Sequence, residues 1–159
     1  CGWHVPLMAA NTANIYAGKE LGATPDGRLA RTPLSDAASP HFGRDAKGPT
    51  AIVESIANVD YTLVTGGTVV NMRFNPSLLQ GKDGLLRLAT LLKVFVKNKL
   101  QELQFNVTST AVMKEAQKNP DQYRNLVVRV SGFSAYFTDL AKEVQDDFIG
   151  RTEHGSADF

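Results

Sequence analysis

Cysteine is almost missing from this chain: Cys1 is the one thiol in 159 residues. That excludes an internal disulfide framework and makes a reducing, cytoplasmic compartment the default expectation. Excess charge is missing as well. Seventeen Lys and Arg face sixteen Asp and Glu, so no global field points to nucleic acid, an anionic membrane or a polyanionic substrate. Nor is there a long hydrophobic run. The longest apolar region, Leu85 to Val96, is cut by Arg87 and Lys93, which reads as a packed helix and not a membrane span. The N-terminus carries no signal-peptide pattern. The length suits one domain or a large piece of one, with enough chain to bury a core. The chain opens on Cys1-Gly2-Trp3-His4 instead of methionine, so it is expected to be a piece of a longer or processed product.

Ordinary catalytic constellations are also scarce. His4, His41 and His154 are far apart, and none has a second His, Cys or paired acid at ligand spacing, so no metal site is expected and each histidine reads as a surface or loop residue. Asp146 and Asp147 are adjacent on an expected helix. Neighbours on a helix point to different faces, so they read as a solvated polar face. Gly66-Gly67-Thr68 precedes a strand, the wrong order for a phosphate-cradling loop that opens a helix. Cys1 has no basic partner beside it to make it a nucleophile.

What is present is an alternation of strands and helices. Residues 1–18 read as a packed segment of undefined type. From Gly22 to Thr50 the composition turns irregular, with Pro25-Asp26-Gly27 as a turn signal and Pro33, Pro40, Gly43, Gly48 and Pro49 behind it. A loop this long is usually functional or wrapped over a surface. Thr50 is expected to cap a helix to about Asn58. Thr68–Phe74 reads as a strand. Asp83–Lys97 has apolar residues at 85, 88, 89, 92 and 96, a helical period. Leu103–Val107 is a second strand, and Thr108-Ser109-Thr110 offers caps for a helix to Lys118, which ends before Asn119-Pro120. Leu126–Val130 is a third strand, and Asp139 to about Arg151 a last helix. The order implies an α/β fold with parallel pairing.

Gly132 spoils the third strand. After the aliphatic run Leu126-Val127-Val128 and Val130, a glycine marks a bulge, a tight bend or a close approach by another backbone. The string around it says more. Val128-Arg129-Val130-Ser131-Gly132-Phe133-Ser134 resembles the signature of the glycyl radical enzymes, which include pyruvate formate-lyase, the glycerol and propanediol dehydratases, isethionate and choline lyases, hydroxyproline dehydratase and arylacetate decarboxylases. Gly22-Ala23-Thr24-Pro25-Asp26-Gly27-Arg28, Pro33-Leu34-Ser35-Asp36 and Ser39-Pro40 resemble the family's long loop, and Gly48-Pro49-Thr50-Ala51 the helix after it. Gln104-Phe105-Asn106-Val107, Ala116-Gln117-Lys118-Asn119-Pro120 and Tyr123-Arg124 resemble its approach to the radical loop, and Gln145-Asp146-Asp147 with Arg151-Thr152-Glu153-His154 its terminal helix. Ser134-Ala135-Tyr136-Phe137 leans towards the dehydratase, lyase and decarboxylase branch.

The resemblance implies the C-terminal part of the family's ten-stranded α/β barrel, with residues 1–60 ending the catalytic region and 61–159 forming a glycine radical domain. It implies Gly132 as the radical residue, flanked by Arg129, Val130, Ser131, Phe133 and Ser134. No cofactor is expected to be bound. A radical S-adenosylmethionine activating enzyme would install the radical, the rest of the barrel would complete the site, and the full-length enzyme would be an oxygen-sensitive homodimer of anaerobic metabolism. The physics is independent of the resemblance. A persistent carbon radical needs an α-carbon that can flatten between an amide nitrogen and a carbonyl, and only glycine lacks a side chain that crowds the planar state. Burial among Val130, Phe133 and Phe137 is expected to exclude water and oxidants.

Two departures from the family stand out. Its catalytic cysteine lies on another loop far upstream, and Cys1 does not match that position. Lys97–Glu102 replaces a stretch where relatives commonly carry glycines. Three readings therefore stand side by side: the radical region of a larger enzyme, a stand-alone radical spare part for pyruvate formate-lyase, and a non-catalytic α/β assembly module in which Gly132 only permits a turn.

Overall fold

The structure is a computed structural model that describes Gly2 and residues 4–155. Cys1 therefore lies outside the described residues, and so does its reading as a nucleophile. Two strands run side by side at the centre. β1 (Val69–Phe74) and β2 (Glu102–Val107) pair in parallel, from Val69 opposite Glu102 to Phe74 opposite Val107. The connection between them is α3 (Gly81–Lys97), a right length for a crossover helix. On the other side of β1 lies the short parallel strand β5 (Glu153–His154).

Strand β1 has no bare edge on that side, because three separate segments cover it. Met8 exchanges backbone hydrogen bonds with Gly67 and Val69, both 3.0 Å. Ala38 N–H donates to the Val69 carbonyl at 3.0 Å, and Ser39 Oγ accepts from Asn71 N–H at 2.9 Å. Glu153 and His154 finish the edge. The irregular region before α2 (Gly48–Ile56) is thus wrapped onto the sheet, as the composition suggests. Within it, the buried Arg28 holds its own loop together by donating to the carbonyls of Gly22, Leu29 and Thr32.

Side chains alternate across the sheet and give it two unlike faces. Val70, Met72 and Phe74 of β1, with Leu103 and Phe105 of β2, point to an apolar cluster completed by Ile52, Val53 and Ile56 of α2 and Leu91 and Phe95 of α3. The opposite face is polar: Asn71 and Arg73 stand beside Gln104 and Asn106, and all but Asn71 are buried. Above that face a second cluster joins Ile15 of α1 (Ala13–Glu20), Met113 and Ala116 of α4 (Thr110–Lys118), Val128, Val130 and Phe137, and Val144 and Phe148 of α5 (Lys142–Gly150).

Several expectations need correction. The third strand, β3 (Val127–Arg129), does not extend the parallel sheet. It pairs antiparallel with β4 (Ser134–Tyr136), a strand too short to be read from its sequence. Thr50 does not cap α2, which starts at Gly48 with φ +86°, a torsion glycine adopts freely, followed by the preset φ of Pro49. The α4 cap does lie among the expected candidates: it is Ser109, whose Oγ accepts from Val112 N–H at 3.2 Å. Asp139 belongs to a single turn before α5 and not to the helix itself. Helix α3 packs through Gly84, Leu91 and Phe95, while Leu85, Leu92 and Val96 of the expected face are exposed. The helix carries two adjoining apolar stripes, and close packing chooses between them. A Cβ on Gly84 would meet the Leu78 carbonyl oxygen at 2.5 Å, so only the glycine stripe can approach the 76–79 turn so closely.

Candidate functional site

The hairpin β3–β4 carries the whole candidate motif at its tip. Val127 faces Tyr136, Val128 faces Ala135, and Arg129 faces Ser134. Val130 N–H donates to the Phe133 carbonyl at 2.8 Å, which leaves Ser131 and Gly132 as the two central residues of a tight turn. Gly132 has φ +75° and Ser131 does not enter the positive region, so the one left-handed residue of the bend is the glycine that adopts it freely. Of the meanings open to this glycine, the tight bend is the one observed.

Two buried amides on the polar face of β2 fasten the hairpin. Asn106 Oδ1 accepts from Arg129 N–H at 2.7 Å, and Asn106 Nδ2 donates to the Arg129 carbonyl at 2.8 Å. This side chain does what a neighbouring strand would do, and satisfies both backbone groups of one residue. One position earlier on the same face, Gln104 Oε1 accepts from Gly132 N–H at 3.2 Å. Gln104 Nε2 in turn donates to Glu102. The sequence reading placed Gln104 and Asn106 near the loop without giving them a role. Two amides at i and i+2 in an otherwise apolar strand were the available signal, because that spacing puts both on one face.

The flanking residues separate into two sets. Val130 and Ser131 are buried, and the Ser131 hydroxyl has no hydrogen-bond partner among the described residues. Arg129 reaches Ser134 Oγ at 3.4 Å on the outer face. Gly132 and Phe133 are exposed, so the expected shielding by Phe133 is not what the structure holds; Val130 and Phe137 alone of the three apolar residues are buried. Gly132 borders an open hollow of about 380 Å³, shared with Leu7, Ala9, Gly66 and Glu102. Phe133 lines the same hollow as Ser131 and Gly132. Chemically, the arrangement offers a backbone N–H held by a side-chain acceptor next to an α-carbon without a side chain.

A glycine radical family model matches residues 34–138 of the chain, a span that includes the hairpin and both amides. The chain belongs to the glycine radical family. It is 45% identical to trans-4-hydroxy-L-proline dehydratase of Clostridioides difficile over 146 residues, which cover 92% of this chain and 18% of that protein. It is 41% identical to isethionate sulfite-lyase of Oleidesulfovibrio alaskensis, covering 90% of this chain and 18% of that protein. The glycerol-bound B12-independent glycerol dehydratase of Clostridium butyricum superposes with a TM-score of 0.92 at 42% identity, over 95% of this chain and 19% of that one. The chain thus spans less than a fifth of the length of these relatives. The fold is that of part of the family's α/β barrel, on its dehydratase and lyase branch.

A clasp ties the end of this glycine radical unit to its beginning. Arg151, just after α5, donates from Nε and Nη2 to Asp147 Oδ2 at 3.0 and 2.9 Å, and Nη2 lies 2.9 Å from Asp36 Oδ2. Its guanidinium also stacks 4.4 Å from the centre of the Phe148 ring. Thr152 Oγ1 donates to Asp45 at 2.5 Å, and His154 Nε2 lies 3.6 Å from the same carboxylate. Glu153 accepts from Thr110 N–H at 2.7 Å and from its hydroxyl at 2.6 Å. Two expectations fail here. Asp147 is buried, although Asp146 does face solvent and pairs with Lys142 at 2.6 Å. His154 is buried beside Phe74, not a surface residue. Arg151, one helical turn on, compensates the buried Asp147 carboxylate, and Asp45, remote in sequence, faces the buried His154. His4 is exposed and His41 half-buried, in line with the loop reading. Among the described residues no cluster of His, Cys, Asp and Glu could hold a metal ion, and no helix is long and apolar enough to cross a membrane.

The clasp should loosen in acid. For Asp45, burial pushes the carboxyl up, but hydrogen bonds from His154 and Thr152 outweigh it and hold it below its ordinary value. Glu153 behaves likewise: burial raises it, and the Thr110 and Asn75 hydrogen bonds more than compensate. Carboxyls depressed in the folded state contribute stability above their unfolded values, about 4, and lose it as pH falls through the folded ones. Asp147 acts in the opposite sense, because its burial raises it despite Arg151. Exchange of Asn75 N–H, which donates to the His154 carbonyl at 2.9 Å, should therefore accelerate below about pH 4 relative to the open-state rate. Glu153→Gln should flatten that acid dependence, and an unchanged profile would exclude Glu153 from the clasp.

Proposed function

We propose that Gly132 stores a backbone radical for an anaerobic dehydratase, carbon–heteroatom lyase or decarboxylase. The single observation that carries this reading is the glycine radical match spanning Gly132, a residue whose α-carbon is exposed with no heavy atom within 4 Å of an added Cβ. In activation, one Cα–H bond of Gly132 breaks homolytically. The hydrogen atom leaves with its electron to a carbon-centred radical generated from S-adenosylmethionine by an activating enzyme, and the unpaired electron remains on Cα. To start turnover, that Cα takes a hydrogen atom from a cysteine thiol, which restores glycine and leaves a thiyl radical to attack substrate.

In this reading Arg129, Val130, Ser131, Phe133 and Ser134 frame the radical. Residues 1–60 end the catalytic region and 61–159 form the radical domain. The hydrogen bonds of Asp36, Ala38 and Ser39 to β1 support treating the two as one packed body. The thiol belongs to the remainder of the barrel, and the assembled enzyme is a homodimer in a reducing cytoplasm.

Anaerobic activation followed by electron paramagnetic resonance tests the proposal. A glycyl radical retains one α-proton, so the signal should be a doublet that collapses when glycine is supplied with deuterium on its α-carbon. Exposure to air should then cut the backbone at Gly132, giving two products resolved by mass spectrometry. No doublet under conditions that activate a relative, or scission at another residue, sinks the reading.

A further inference from the structure

We propose that Gln104 is the positioning residue for Gly132, an adjustable acceptor that follows the glycine N–H when the α-carbon flattens. The proposal rests on the radical reading of Gly132. It begins from the direction of the Gln104 amide. Nε2 donates to the Glu102 carboxylate, which can only accept. The carbonyl end of Gln104 must therefore face Gly132, whose N–H can only donate. Glu102, Gln104 and Gly132 form a chain of hydrogen bonds with a single sense.

Asn106 and Gln104 divide the work by length. The shorter Asn106 grips both backbone groups of Arg129 at 2.7 and 2.8 Å, a rigid anchor on the strand. Gln104, one methylene longer, reaches the turn through the longer contact of 3.2 Å. That difference suits a moving partner. The observed φ of +75° belongs to a tetrahedral glycine in a tight turn. Sharing an unpaired electron between the amide nitrogen, Cα and the carbonyl requires those groups to become coplanar, as resonance already makes each peptide unit planar. From +75° the extended arrangement is about 105° away, so the turn must rotate and swing its N–H. A fixed acceptor would lose the N–H, whereas a glutamine can turn its flexible stem to follow it. An acceptor on the N–H also pushes electron density onto the amide nitrogen, the donor side of the delocalised radical.

Gln104→Leu removes the acceptor at similar volume. The double exchange Glu102→Gln with Gln104→Glu restores an acceptor facing Gly132 and a donor facing it from position 102. In the unactivated full chain, amide exchange at Gly132 should accelerate roughly fivefold in Q104L, the worth of one neutral hydrogen bond, while Arg129, held by Asn106, keeps its rate. After anaerobic activation, electron–nuclear double resonance should show an altered coupling for the exchangeable Gly132 proton, and the radical should decay several-fold faster. The double exchange should restore the coupling of the exchangeable proton and a decay no faster than wild type, the carboxylate being the stronger acceptor. Unchanged coupling and decay in Q104L overturn the proposal, whatever the exchange rate does. Should Q104L also lose protection at Arg129, the double exchange alone decides: a restored coupling with decay no faster than wild type supports the proposal and Q104L-like values overturn it. If the wild-type chain gives no radical while Gly132 exchange still depends on Gln104, the radical reading falls and the positioning contact stands.

Discussion

Gly132→Ala should fold, and should give no radical signal. The structural cost is small and has one source. No heavy atom lies within 4 Å of an added Cβ, so the change creates no clash, but φ +75° is left-handed backbone. An L-residue there costs roughly 1–2 kcal/mol, a loss that urea unfolding can measure. Other glycines of the chain behave differently. A Cβ on Gly18 would lie 2.3 Å from the Thr32 carbonyl oxygen, and on Gly66 2.6 Å from that of Pro6. Those positions are glycine because backbones meet there; Gly132 is not. Gly132→Asn provides the sharper control, since asparagine tolerates the left-handed region better than most residues. It should recover most of the lost stability and none of the radical. Asparagine has a side chain on Cα that crowds a planar centre, so conformational tolerance and radical storage separate in this variant. A doublet surviving in either variant would move the radical elsewhere. A turn glycine without chemistry predicts no signal in the wild type as well.

The parts of this architecture that were legible from sequence are those set by local pattern. Thr68–Phe74 and Leu103–Val107 carry β-branched and aromatic residues in strand-length runs, and both pair as parallel strands joined by the helix between them. The radical string was legible because its identity is local. The hairpin was not. Ser134-Ala135-Tyr136 has little strand propensity, and β4 exists because β3 offers it a partner across a two-residue turn. The packing face of α3 was misread for a related reason. Periodicity reports that a helix has an apolar stripe, but with two stripes adjacent the choice falls to the shape of the partner, here the turn that only Gly84 can approach. The amide pair Gln104 and Asn106 and the buried Asp147 were legible as polar residues and not as contacts. The amides' partners, Gly132 and Arg129, lie in another element, and Asp147 is buried because Arg151 spans it and the remote Asp36, a link no local rule supplies.

Arg151→Met should be the most destabilising single change in the clasp, by about 3–5 kcal/mol in urea unfolding, because it strands two buried carboxylates. Asp36 and Asp147 share Arg151 Nη2, at 2.9 Å each, and both side chains are almost fully buried. Without the guanidinium neither carboxylate keeps a cation, and Asp147, already raised by burial and by the Asp36 charge, loses the Arg151 contribution that lowers it. The variant should therefore gain stability as pH falls, the reverse of the Asp45 and Glu153 limb. Carboxyls raised in the folded state favour folding below their unfolded values, and lose that contribution as pH rises through the folded ones. Replacing all three charges, with Asp36→Asn and Asp147→Asn added to Arg151→Met, should cost much less than the single change, because removing a whole buried cluster also removes its desolvation penalty. The consequence reaches the radical hairpin. Helix α5, which ends at the clasp, supplies Val144 and Phe148 to the cluster beneath Val128 and Val130. It also supplies Gln145, whose Nε2 donates to the Phe137 and Leu140 carbonyls at 3.1 and 2.9 Å. Loosening the clasp should lower the free energy for opening the hairpin, and Phe137 N–H, which donates to the Leu126 carbonyl at 2.7 Å, should exchange faster in R151M. If Phe137 keeps its wild-type rate while the chain is globally weakened, the end of the chain and the radical loop open independently, and the clasp has no hold on access to Gly132.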